Sequence, residues 1–122
     1  MYRKLLVAAT VLSAALFSGG CASKDASLVK PRQVVIDVRT PAEQQETGYI
    51  VGALLMEHTT IHTEIKKAVP DTATPIAVYC RSGRRAEMAK STLNAIGYSD
   101  VTNLGGLEEA AKTLSAPVVK LK

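Results

Sequence analysis

Short continuous apolar runs alternate along this chain with stretches whose apolar residues recur every three or four positions. Val34-Val35-Ile36, closed by Asp37, is a β-branched run that reads as a buried strand. Thr40-Pro41-Ala42-Glu43 then supplies an N-cap, a proline at the first helical position and the acid of a capping box, and Gly48 stops that helix early. Gly52 introduces a second short strand candidate, Ala53-Leu54-Leu55-Met56. From Thr60 to Val69 the pattern is helical, with Ile61, Ile65 and Ala68 on one face and Pro70-Asp71 as the stop.

Ile76 to Tyr79 reads as a third strand, and Ala86, Ala89, Leu93 and Ile96 recur at helical spacing from Arg84 to Ile96. Gly97 fits the position just past that helix, with Tyr98 placed for the apolar contact of a Schellman cap. Val101 to Leu104 is a fourth strand, and Gly105-Gly106 leads into a helix over Leu107 to Leu114 that carries Glu108 and Glu109 in its first turn. Met56 and Met88 read as core filler. Strand and helix alternate and the strands are apolar throughout, so the pattern predicts an α/β fold: one central parallel sheet with helices on both faces. Ligands of such sheets bind beyond the carboxyl ends of the strands. Asp37, Cys80 and the Gly105-Gly106 turn all fall there, on one rim.

The N-terminus has a different character. Arg3 and Lys4 precede an apolar stretch from Leu5 to Phe17 and then small residues, the plan of a secretory leader over residues 1–22. Gly20-Cys21-Ala22 suits ordinary cleavage. Gly19-Gly20-Cys21 equally resembles a lipobox, in which Cys21 would carry lipid, although Ser18 stands where such motifs usually have leucine. A polar tether over 23–32 and a single domain over 33–122 complete the expected layout. An envelope location outside the cytoplasm follows, with membrane contact only through a lipid on Cys21. Losing Arg3 and Lys4 with the leader lowers 15 basic residues to 13 against 11 acidic, a net of +2. That excess is too small to argue for nucleic acid.

Charge matters locally instead. Cys80 ends the third strand and opens Cys80-Arg81-Ser82-Gly83-Arg84-Arg85, after which the helical pattern begins. Helix N-terminal N–H groups and nearby cations both favour the thiolate over the thiol. Whether Cys21 is removed or lipidated, Cys80 has no disulfide partner in the mature domain, and an inert buried cysteine would not be set in an arginine-rich turn. The pattern points to a nucleophile that works on small anions. His58 and His62 stand four apart, but no third ligand is evident and they read as surface histidines. No metal and no cofactor are expected.

These residues resemble the rhodanese-like sulfurtransferase family over nearly the whole mature chain. Ile36 to Glu43 matches the family's opening strand and turn, Gly48-Tyr49-Ile50-Val51-Gly52-Ala53 its glycine-histidine segment, Tyr79 to Ala86 its active-site loop, and Asn103-Leu104-Gly105-Gly106 its last turn. Tyr49 replaces the usual histidine, and Glu108-Glu109-Ala110 stands where an aromatic residue is common.

The resemblance implies a two-step reaction. Cys80 takes the outer sulfur of thiosulfate as a persulfide and passes it to cyanide or a thiol. Backbone N–H groups from Arg81 to Arg85 would converge on the sulfur, Gly83 allowing the close curl. Arg81 and Arg84 are expected to face outward towards the anionic donor, and Arg85 to turn inward to a carboxylate such as Asp37. Asp37 and Arg39 then belong to the scaffold, and Glu43 is simply the capping-box acid. A sulfur carrier or binding module without turnover is the alternative. A phosphatase or arsenate reductase is weaker, because the Cys-x5-Arg loop of related phosphatases would put arginine at position 86, which is Ala86. A domain this small is expected to be a monomer.

Overall fold

The computed structural model describes residues 32–122; the leader, Cys21 and nearly all of the tether lie outside the described residues. Its elements are β1 (Val34–Asp37), α1 (Pro41–Thr47), β2 (Tyr49–Ile50), β3 (Leu54–Leu55), α2 (Ile61–Ala68), β4 (Ile76–Cys80), α3 (Arg84–Ala95), β5 (Val101–Gly106), α4 (Leu107–Leu114) and β6 (Val118–Val119). Four strands form a parallel sheet in the order β3-β1-β4-β5, and β2 pairs with β6 in a separate antiparallel ribbon. The parallel sheet read from the alternating pattern is therefore present.

Strand β4 explains why the sheet needs cover on both sides, since all five of its residues are buried. Ile76, Val78 and Cys80 join a cluster with Ile36, Val38, Ile61, Ile65, Ala86, Ala89 and Leu93, which places α2 and α3 on one face. Tyr79 packs with Ile50, Ala110, Leu107 and Leu114, which places α4 on the other. The two-residue period of the strand thus separates Cys80 from Tyr79: the thiol looks towards α3 and the phenol towards α4. The Tyr79 hydroxyl accepts the Ile50 N–H at 2.9 Å. Burial pushes that hydroxyl's pKa up, with Asp37 adding to the rise.

Helix α3 closes as its sequence foretold. Gly97 has φ 108°. The Tyr98 N–H donates to the Leu93 carbonyl at 3.0 Å and the Gly97 N–H to Asn94 at 3.2 Å, the bond pair of a Schellman cap. Tyr98 is buried and its hydroxyl donates to the Val69 carbonyl, tying the end of α3 to the end of α2.

Four details depart from the sequence reading. The second strand is only Leu54–Leu55, within the expected 53–56. The β2–β6 ribbon went unread, because two residues are too few to show a period. Ala68 is exposed and the buried residue at that end of α2 is Val69. Met88, expected in the core, is 52% exposed. Two positions after Ala86, it falls on the far side of α3 from the Ala86-Ala89-Leu93 stripe.

Leu93 is fully buried in the larger cluster. Leu93→Ala should cost about 2–5 kcal/mol. Urea unfolding would show this as a lower midpoint with an unchanged slope.

Candidate active site

The site begins where β4 runs out of sheet. Cys80, its last residue, has no solvent exposure, so its sulfur must find polar partners inside the protein. Two backbone donors supply them: the Gly83 N–H lies 2.9 Å from Sγ and the Ala86 N–H 3.4 Å. The expected convergence of amides from 81 to 85 is thus narrower in number and reaches one residue further, to Ala86. Both N–H groups belong to the first turn and cap of α3, so the helix dipole also points its positive end at the sulfur.

Gly83 is the N-cap of α3 and adopts φ 96°, the left-handed region that side chains resist. The opposite wall of the turn is the end of β5. Between Val78↔Asn103 and Cys80↔Gly106 the register shifts by one extra residue on β5, and Gly105 at φ 88° absorbs it. A Cβ on Gly106 would stand 2.5 Å from the Arg81 carbonyl oxygen, so only glycine permits the two loops to touch. Asn103 fastens them. Its Nδ2 donates to the Gly83 carbonyl at 2.9 Å and to Glu87 at 3.0 Å, while its Oδ1 accepts the Gly105 N–H at 2.9 Å. In the sequence Asn103 stands out only as part of the Asn103-Leu104-Gly105-Gly106 turn; an asparagine two before a glycine is the available sign of such a role.

Two ion pairs stand behind the loop. Asp37, fully buried at the end of β1, is taken by Arg39: the Arg39 backbone N–H, Nε and guanidinium nitrogen all reach its carboxylate at 2.8–3.2 Å. Arg39 is 3% exposed, and it also donates to Thr47 Oγ1 at 2.7 Å and to the Gly48 carbonyl. Burial pulls the Arg39 pKa down, but the bonds and charge of Asp37 outweigh it and the net shift is upward.

The second pair corrects an expectation. Arg85 does not turn to Asp37; it binds Glu43 with two parallel bonds of 2.7 and 2.8 Å. Arg39, only two residues from Asp37, already occupies that carboxylate, whereas Glu43 stands part-exposed in the first turn of α1. Glu43 is accordingly more than a capping acid. It also accepts the Thr40 N–H and hydroxyl, both at 3.0 Å, while the Glu43 N–H donates back to Thr40. One carboxylate therefore anchors the start of α1 and the start of α3 together. The Arg85 bonds are the main reason its pKa falls from 4.5 to about 2. Arg85 is raised in turn, first by its hydrogen bonds to Glu43, with the charges of Glu43, Cys80 and Asp37 contributing.

Arg81, Ser82 and Arg84 are exposed on the outside of the loop. His58 and His62 join no cluster able to hold a metal among the described residues. Beside the loop opens a groove of about 760 Å³, lined by residues that include Arg81, Glu43, Glu46, Leu107, Glu108 and Val118. No residue pattern signals it, since α1, α4 and β6 meet there only through the fold.

Known proteins are similar to this chain in sequence and in fold. The profile of the Rhodanese-like domain matches residues 23–113. Thiosulfate sulfurtransferase PspE of Escherichia coli is 40% identical over 76 residues, 62% of this chain and 72% of that protein. A sulfurtransferase of Allochromatium vinosum is 36% identical over 73 residues, 60% of this chain and 65% of that protein. The solved structure of a rhodanese with anions from E. coli superposes with a TM-score of 0.66 at 37% identity, covering 73% of this chain and 99% of the other.

The Glu43–Arg85 pair gives a pH signature. A carboxyl whose folded pKa lies below its ordinary value adds stability above about pH 4.5, and that stability disappears as pH falls towards 2. Glu43→Gln should cost about 1–3 kcal/mol at neutral pH and flatten the loss of stability across this window. Urea midpoints of both proteins at pH 5, 4 and 3 would check it.

Proposed function

Since this chain belongs to the rhodanese-like domain family, we propose that it is a sulfurtransferase in which Cys80 carries a sulfane sulfur as a persulfide. The observation that carries this reading is the pair of backbone N–H groups, from Gly83 and Ala86, directed at a fully buried Sγ. Such a cradle stabilises negative charge on sulfur without offering a proton that could be lost.

The Cys80 thiolate attacks the outer sulfur of thiosulfate. The sulfur–sulfur bond of the donor breaks, sulfite leaves with the electron pair, and Cys80 holds the persulfide anion. In the second step an acceptor nucleophile, cyanide or a thiolate, attacks the terminal sulfur and Cys80 departs as thiolate. Charge balances in both steps and no redox partner or cofactor is needed. Arg81 and Arg84, exposed on the loop, draw the dianionic donor in. Ser82 completes the turn, Gly83 supplies a donor, and Arg85, held by Glu43, fixes the start of the helix that supplies the other. Asp37 and Arg39 hold the rim and touch no substrate.

Phosphoryl transfer fits less well, because Ala86 stands where the wider Cys-x5-Arg loop of related phosphatases would place its arginine. The leader pattern supports export to the envelope, with Cys21 either removed with the leader or carrying a lipid anchor.

Incubation with thiosulfate should add the mass of one sulfur to the mature protein, and cyanide should remove it with release of thiocyanate. The same intact-mass spectrum reads any acyl groups on Cys21. Cys80→Ser should show neither gain nor turnover. A persulfide that forms but resists cyanide and thiols would identify a carrier instead, and full turnover in Cys80→Ser would reject the mechanism.

A further inference from the structure

We propose that Asn103 and Glu87 form a positioning unit: together they set the Gly83 N–H on the Cys80 sulfur and so govern how readily that sulfur reacts. The kinetic consequences rest on the sulfurtransferase reading. The cradle itself is unequal. The Gly83 N–H is the nearer of its two donors, 2.9 Å from Sγ against 3.4 Å for Ala86, and short bonds to an anion are the strong ones. Yet Gly83 is the less secure of the two. Ala86 lies within α3, whose ladder fixes it, whereas Gly83 precedes the first turn with φ 96° and no side chain to restrict it.

Asn103 supplies the missing restraint. It pairs with Val78 on β4, and Val78 and Cys80 both face α3, so its side chain rises on the thiol's side of the sheet. Its Nδ2 donates to the Gly83 carbonyl at 2.9 Å and to Glu87 Oε1 at 3.0 Å. The Glu87 backbone N–H donates to the same Gly83 carbonyl at 3.0 Å. A ring is thereby closed: Asn103 and Glu87 both grip that carbonyl, and the Glu87 carboxylate grips the Asn103 amide. The amide's other end, Oδ1, accepts the Gly105 N–H at 2.9 Å. Gly105 is itself the floor under Gly83, its Cα standing 3.3 Å from where a Gly83 Cβ would be. With its carbonyl pinned and Gly105 beneath it, Gly83 keeps the left-handed conformation and its N–H keeps its aim. Asn103 and Glu87 act on the sulfur only through Gly83.

The sign of each effect makes the role separable from charge. Glu87 is exposed, and a carboxylate near the loop works against a thiolate. Removing that charge alone should favour the thiolate, whereas removing the hydrogen bond should disfavour it. The loop's other charges, Arg81, Arg84 and the Glu43-bound Arg85, are common to every variant compared.

The test titrates the ultraviolet absorbance of the Cys80 thiolate in the full mature chain, with Cys80→Ser as the blank. Asn103→Ala should raise the midpoint by about one unit, as expected for a weakened bond to an anion. Below the midpoint, single-turnover persulfide formation at saturating thiosulfate should slow about threefold or more, the loss of thiolate outweighing its gain in nucleophilicity. The thiosulfate concentration at half-saturation should hold, because Arg81 and Arg84 are untouched. Glu87 gives a second arm on an exposed residue whose substitution leaves the fold intact. Glu87→Gln keeps an acceptor and loses the charge, while Glu87→Ala loses both. The midpoint of Glu87→Ala should lie about 0.3 unit above that of Glu87→Gln, and the gap should close in the Asn103→Ala background. A folded Asn103→Ala with an unmoved midpoint overturns the assignment, as does a Glu87 gap that is absent or that persists without Asn103. If persulfide still forms and cyanide still discharges it, the sulfurtransferase reading survives that result. If the midpoints move as expected but thiosulfate leaves no persulfide on Cys80, that reading falls and the positioning of the thiolate stands.

Discussion

The rim of this domain is organised around one requirement: a sulfur with no access to water must be given hydrogen-bond donors by the backbone. Meeting it fixes several features at once. The helix after Cys80 must start within a few residues so that its free N–H groups reach Sγ. Gly83 must turn left-handed to aim the first of them. The end of β5 must then come close enough to support the turn, which accounts for the extra residue at Gly105, the bare Gly106 against the Arg81 carbonyl, and Asn103 bonded to both loops. None of these features stabilises much alone. Together they leave the cradle one geometry.

The two ion pairs hold that geometry from different depths. Asp37–Arg39 is buried, and such pairs lose in desolvation much of what they gain in attraction. Its value lies in position: Arg39 reaches Asp37, Thr47 and the Gly48 carbonyl, so it fixes the end of β1 against the end of α1. Glu43–Arg85 is part-exposed, with side chains 22% and 24% accessible, and bidentate. It costs less to bury and locks the start of α1 to the start of α3. The inner pair sets the frame on which the outer pair sets the loop.

Much of this was legible in the residues, and what was not has a physical cause. β4 and α3 could be read because a fully buried strand is continuously apolar and a one-sided helix shows its period; Gly97 and Tyr98 declared the cap. The capping box of α1 was local and therefore readable. Arg85's partner was not. Asp37 and Glu43 both stand near the rim in sequence terms, and only the fold reveals that Arg39 has already taken the first. Met88 misled because methionine's hydrophobicity says nothing about which side of the helix it occupies. The β2–β6 ribbon joins residues 68 and 70 positions apart through two-residue strands, which no periodicity can display.

The span of the loop ties the scaffold to the chemistry. Arg85 is its last residue and Ala86, the next, already donates to the sulfur. Inserting one residue between Cys80 and Arg85 would widen the ring enough to admit a larger anion. It would also move the start of α3 by one position, turning Arg85 about 100° around the helix and away from Glu43. A wider cradle would thus need a different anchor as well as a longer loop. In the proposed reaction the preference for a single sulfur atom therefore resides partly in Glu43, a residue that touches neither the sulfur nor its donor.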